Sequence, residues 1–113
     1  MEVNKRTKAT SIPPAVKEAV YKRDNGACVL CGSFMGEPVA HVVRRSQLGM
    51  GIEQNIVTLC HPCHRAYDEG ANIQKRFGVG VTRDGLYCRL VAHLKGFYPD
   101  WSREDMIYKK GDL

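Results

Sequence analysis

No apolar stretch in this 113-residue chain approaches the ~20 residues a membrane-spanning helix needs. Met1 to Thr10 is polar and basic and lacks an apolar core, which excludes a secretory signal there and leads to an expected cytoplasmic location. There are no repeats and no low-complexity segments. With 43% hydrophobic residues the chain is not a disordered tail, and its length suits one domain with one modest core. A disulfide framework is out of place in a chain without an export signal. The five cysteines therefore need another explanation.

Four of them form two pairs, Cys28-x-x-Cys31 and Cys60-x-x-Cys63, while Cys88 stands apart. Two such pairs are the pattern of a Zn²⁺ site. Four thiolates close a tetrahedral shell and leave no position for a substrate, so the ion is expected to be structural. Gly32, directly after the first pair, allows the tight turn that aims two thiolates at one ion. His61 and His64 flank the second pair and are alternative ligands, but four cysteines complete the shell without them. His61 and Cys88 acquire no role.

The net charge is +5, and it is unevenly spread. Residues 1–24 hold six bases against three acids, residues 71–113 eight against five, and residues 25–70 three against four. Basic flanks suit a polyanion such as nucleic acid, although a solvated basic surface has the same composition.

Along the chain, residues 1–10 read as a flexible basic arm and 11–113 as a single domain. Ser11-Ile12-Pro13-Pro14 starts a helix, Val16 and Val20 face a core, and Asp24-Asn25-Gly26 ends it. Residues 37–44 and Asn55–Leu59 are β-type segments separated by a glycine-bearing loop. A short helix follows from His64 and stops at Gly70. The tail, 71–113, reads as helical. Leu86, Leu90, Val91 and Leu94 form its apolar stripe, and Ser102-Arg103-Glu104-Asp105 resembles a capping box. Trp101, Phe97, Tyr98 and Tyr108 are expected to pack the tail onto the domain. The predicted class is α+β.

His41 falls on the first strand, Asn55 opens the second and His64 begins the helix, spaced by 14 and 9 residues. A strand–strand–helix unit brings such residues to one cleft. The ordered set Arg23-Asp24-Asn25-Gly26-Ala27-Cys28-Val29-Leu30-Cys31-Gly32, Ala40-His41-Val42-Val43, Asn55-Ile56-Val57-Thr58-Leu59-Cys60 and Cys63-His64 resembles the HNH nuclease family. The version resembled has a ββα-metal core bracketed by two CxxC pairs, and the likeness covers roughly residues 20–70. Chain length and tail also resemble small HNH proteins of tailed phages.

The resemblance implies a zinc-stapled ββα-metal core over about residues 25–70 with flanking helices, and a DNA endonuclease or nickase of low sequence specificity. It implies His41 as general base, Asn55 as the residue holding the base's loop, and His64 as ligand of a second, catalytic divalent ion such as Mg²⁺, Mn²⁺ or Ni²⁺. The family places Asp or His before the base, where this chain has Ala40. Asp68, four residues after His64, shares its helix face and is the expected replacement ligand, or else a solvated carboxylate. Arg44, Arg45 and Arg65 are candidates for DNA phosphate contacts. Two other roles stay open: a zinc-stabilised DNA-binding module without catalysis, and a subunit working with a phage terminase-type packaging protein.

Overall fold

A computed structural model describes residues 5–109. The elements run α1 (Lys5–Thr10), α2 (Pro14–Arg23), β1 (Glu37–His41), β2 (Ile56–Leu59), α3 (His61–Glu69), α4 (Ile73–Phe77) and α5 (Arg83–Phe97). Three single 3₁₀ turns, Arg45–Gln47, Glu53–Asn55 and Glu104–Met106, complete the order. The architecture is α+β, with one two-stranded antiparallel sheet. No helix among the described residues is long and apolar enough to cross a membrane.

Pro14 opens α2 at a position where a missing N–H costs nothing. Asn25 and Gly26 end it in the left-handed region, at φ 56° and 67°. Val20 is buried and Val16 half-buried. In the sheet, Ala40 pairs with Val57 and His41 with Ile56, while Glu37 opposes Leu59 across an irregularity in register. All four residues of β2 are buried, so this strand is the centre of the molecule. Helix α2 packs on both strands and α3 on α5.

Helix α5 is capped by Thr82, whose Oγ1 accepts from the Gly85 N–H at 3.1 Å. Leu86, Leu90 and Leu94 are fully buried at four-residue spacing, and Val91 sits at the half-buried edge of that stripe. The helix runs through Gly96 to Phe97. Beyond it, Trp101 is buried and donates Nε1–H to the Gln54 carbonyl at 2.7 Å. Tyr98 is half-buried against Arg23 and Glu53, whereas Phe97 remains 49% exposed. The capping-box segment forms one 3₁₀ turn rather than a helix, with Ser102 Oγ accepting from the Asp105 N–H at 3.4 Å. The strand-linking loop is tied to it through Met50 N–H to Met106 O and Tyr108 N–H to Leu48 O, both 2.8 Å.

Helix α3 starts at His61, three residues before the expected start at His64, because Pro62 and Cys63 continue directly from Cys60, and Asn55 ends a 3₁₀ turn instead of opening β2. Two further departures from the sequence reading bear on the site. Residues 5–10, read as part of an arm, form helix α1; residues 1–4 lie outside the described residues. The helix is held by its end: Gly51 N–H donates to the Ala9 carbonyl at 3.0 Å, and Thr10 is buried. A Cβ at Gly51 would stand 2.0 Å from the Ser11 carbonyl oxygen, so only glycine permits this approach. The first strand also stops at His41 instead of continuing to residue 44, because Val42 and Val43 turn inward and their backbone is bound by Asn55.

Candidate metal centre and adjoining cleft

Cys28 and Cys31 lie on the turn before β1. Cys60 caps α3 and Cys63 lies in its first turn. Their sulfur atoms all fall within 4.8 Å of one another, and Cys31 Sγ to Cys60 Sγ is 3.6 Å. A Zn²⁺ ion bound tetrahedrally at ~2.3 Å requires sulfur–sulfur separations of roughly 3.8 Å, so the cluster fits the ion. Local backbone sets this up. Gly32, at φ 80°, turns so that its N–H reaches the Cys28 carbonyl at 2.8 Å, and Val29 N–H ties the turn to Thr58 O on β2 at 2.9 Å. Burial raises the Cys31 thiol pKa, but the Ser33 N–H and the neighbouring cysteines lower it by more, to about 7, whereas burial pushes the Cys60 and Cys63 thiols up, so it is the sulfur geometry that carries the fit. The four cysteines can therefore hold a structural zinc ion, clipping the turn before β1 to the helix after β2.

Arg76 joins this cluster with no local motif to announce it. Its Nε lies 3.1 Å from Cys63 Sγ, and its Nη2 lies 3.4 Å from Cys60 Sγ and 3.6 Å from Cys31 Sγ. A Zn²⁺ with four thiolates carries a net charge of −2, and one guanidinium donating to three of the sulfurs offsets part of it.

The second feature is an open cleft of ≈ 350 Å³ between the end of α1, β1 and α3. His41, His64, Asp68 and Arg45 line it, together with Lys17, Ser11, Ile12 and Val39. His41 ends β1 half-buried, with Nε2 2.8 Å from the Thr10 carbonyl oxygen. A carbonyl only accepts, so Nε2 carries the proton and Nδ1 of the neutral ring holds a free lone pair. Burial lowers the His41 pKa below 6.5. The Thr10 carbonyl opposes that, Arg45 and His64 add to it, and Asp68 counters it. The ring is thus neutral at pH 7. On α3, His64 Nε2 and Asp68 Oδ2 lie 3.3 Å apart, one helical turn from each other.

The remaining expected site residues fall in different places. Asn55 is fully buried behind the cleft. Its Oδ1 accepts from Val43 N–H at 2.8 Å, and its Nδ2 donates to Val43 O at 3.1 Å and Met50 O at 2.9 Å. It braces the segment that follows His41. Arg45 reaches the Thr10 hydroxyl through Nε and the Ser11 hydroxyl through Nη2, both at 3.1 Å. Arg65 points out from α3 and pairs with Glu69 at 2.9 Å, in a second cavity that shares His64 and Asp68 with the cleft. Arg44 is half-buried and lines neither cavity. Ala40 is fully buried in the core, so position 40 offers nothing to the cleft. Among the described residues, the four cysteines are the one group of three or more metal-ligating side chains; His64 and Asp68 remain a pair.

Sequence reading missed Lys17 and the Thr10 carbonyl, both brought to the cleft by the N-terminal helices. It also missed a buried knot beneath β2. Asp24 accepts from Arg23 at 2.9 and 3.0 Å, from His93 Nε2 at 2.8 Å and from the Thr58 N–H at 2.9 Å. Burial pushes the Asp24 pKa up, but these donors hold it down to about 2. No local pattern links Asp24 to His93, 69 positions away.

Compared with protein-family models, with curated proteins and with solved structures, the chain matches none.

Proposed function

We propose that the protein is a metal-dependent DNA endonuclease or nickase of HNH type, with His41 as general base. The observation that carries this reading is the 2.8 Å contact between His41 Nε2 and the Thr10 carbonyl, which assigns the tautomer of the ring. Its Nε2–H is bound by the Thr10 carbonyl, so the bare Nδ1 is the only proton-accepting atom on a neutral ring beside an open cleft. That is the state a base needs at neutral pH.

The chemistry is phosphodiester hydrolysis. His41 Nδ1 takes a proton from water as the water oxygen bonds to phosphorus; the bond from phosphorus to the sugar oxygen breaks, that oxygen takes a proton from solvent water, and His41 returns its proton to solvent. Arg45 and Lys17 supply positive charge along the cleft for a phosphate. His64 and Asp68 would hold a divalent ion, which supplies charge stabilisation to the phosphate and the leaving oxygen. With only two protein ligands, affinity for that ion is expected to be weak without DNA. Asn55 acts through position, keeping residues 42–50 folded behind His41.

A second reading is a zinc-stabilised DNA-binding module without catalysis. The burial of Ala40 and the two-ligand count favour it. A role beside a terminase-type packaging protein rests on the family resemblance alone. Incubating supercoiled plasmid with purified protein and Mg²⁺, Mn²⁺ or Ni²⁺, beside His41→Ala, decides between the first two. Nicking by the wild type and its loss in the variant are expected. No nicking with any ion selects the binding module, and equal nicking by His41→Ala removes His41 from the mechanism.

A further inference from the structure

Four cavities lie side by side on this molecule, each between ≈ 350 and ≈ 450 Å³, and each shares wall residues with the next. A cavity on α1 shares Arg45 with the cleft. The cleft shares His64 and Asp68 with the cavity along α3, and that one shares His61 and Arg65 with a last cavity reaching α4. Together they form one groove from α1 across β1 and α3 to α4.

Charge along this groove is ordered. The two end cavities contain no carboxylate: the first is walled by Arg6 and Arg45, the last by Arg65, Lys75 and Arg76. The carboxylates, Asp68 and Glu69, occur only in the middle. Arg6, Lys17 and Lys75 have no ion-pair partner among the described residues. Cations at both ends and paired histidine and carboxylate at the centre suit a polyanion held on either side of a central ion.

The walls also say how the polyanion is held. No Phe, Tyr or Trp lines any of the four cavities, and the exposed aromatic side chains Tyr21, Phe34 and Phe97 lie outside them. Single-strand binders rely on aromatic platforms for unstacked bases. A groove of Arg, Lys, Ser and Thr instead grips phosphates, whose spacing is regular only when the bases stay stacked.

We propose that this groove seats duplex DNA through its phosphates, with Arg6 at one end and Lys75 at the other as contacts beyond the cleft. The proposal rests on the nuclease reading for its centre but concerns different residues. It gives His61, otherwise without a role, a place in the groove wall, and it lets Arg76 serve the thiolates and the last cavity at once.

The test is binding of a fluorescent 20-base-pair duplex and of a single strand of equal length to the zinc-loaded protein, across a salt series without added Mg²⁺. Arg6→Ala and Lys75→Ala are compared with Lys95→Ala, an exposed α5 residue outside the groove. Each groove variant is expected to bind the duplex several-fold more weakly and to lower the slope of log affinity against log salt by ~0.9, the value for one lost phosphate contact. Lys95→Ala is expected to match wild type. If the duplex binds but Arg6→Ala and Lys75→Ala behave like Lys95→Ala, the groove path is wrong while the nuclease reading stands. Tighter binding of the single strand overturns the duplex assignment. Absence of binding to either nucleic acid, with no plasmid nicking, sinks the nuclease reading itself.

Discussion

The cysteine cluster and the cleft share helix α3, Cys63 and His64 being neighbours in its first turn, yet they are built on opposite plans. The cluster brings four ligand atoms within 4.8 Å, backs them with Arg76, and leaves no gap for another ligand. The cleft brings two potential ligands, His64 and Asp68, to an open space beside a neutral histidine. A saturated shell converts binding energy into folding energy. A pair of ligands alone leaves most coordination positions of any ion open and binds it weakly. Helix α3 serves both because Cys60 and Cys63 open it, while His64 and Asp68 occupy another face.

The largest effect should come from the cluster. Zn²⁺ binding at such sites is worth about 10–16 kcal/mol, comparable to or above the about 5–15 kcal/mol of total stability typical of a domain. Cys63→Ser, or zinc removal by chelator, should therefore abolish the cooperative melt seen by circular dichroism. His64→Ala should leave the melting curve near wild type. If both variants melt alike, the contrast between the two regions fails.

His41→Ala should lower nicking by about 10²–10⁴-fold without unfolding the protein. The pH profile sharpens this. Because burial lowers the His41 pKa, the ring stays neutral as pH falls below 6.5, and activity should decline only once pH drops through that lowered value. A limb centred above 6.5 would place the base elsewhere.

Asp24 tests whether metal alone joins the pre-β1 turn to the sheet. Its carboxylate holds the Thr58 N–H, while the Thr58 carbonyl holds Val29 beside Cys28. Asp24→Ala leaves the guanidinium of Arg23, 7% exposed, without its counter-charge and should cost about 3–5 kcal/mol in urea unfolding of the zinc-loaded protein. In acid the sign follows from the lowered pKa. The carboxylate's contribution is complete above 3.8 and is lost as pH falls toward about 2, a change of about 2 kcal/mol. A variant as stable as wild type would make the zinc clip sufficient by itself.

The smallest effect belongs to Arg65. Its ion pair with Glu69 is exposed, so Arg65→Ala should change stability by less than about 1 kcal/mol. A larger loss in thermal melting would make Arg65 part of the framework rather than of the groove.

Much of the framework was legible because its causes are local. The CxxC spacing puts two sulfurs on one side of a turn, Asp24-Asn25-Gly26 ends a helix wherever it stands, and leucines four apart form one helix stripe. The i, i+4 relation of His64 and Asp68 is equally local, and their 3.3 Å separation follows from it. Less legible were the ends of elements. Val42 and Val43 have strand character, yet Asn55, 12 positions away, binds the Val43 backbone and stops the strand at His41. Residues 5–10 carry no apolar periodicity, and they are helical where their carboxyl end docks on Gly51 and His41.

The amino-acid sequence by itself thus determined the four-cysteine ligand set, the order of the main elements and the histidines available for chemistry, since each depends on residue types at short spacing. Only the tertiary structure decided what those groups can do. Which nitrogen of His41 is bare depends on a carbonyl 31 positions earlier. The charge set against the thiolates comes from Arg76, and the loop behind the cleft is held by an amide in the core. These are contacts between groups distant in the chain, and no periodicity encodes them. They exist because the core, once packed around β2, brings those backbones within hydrogen-bonding reach.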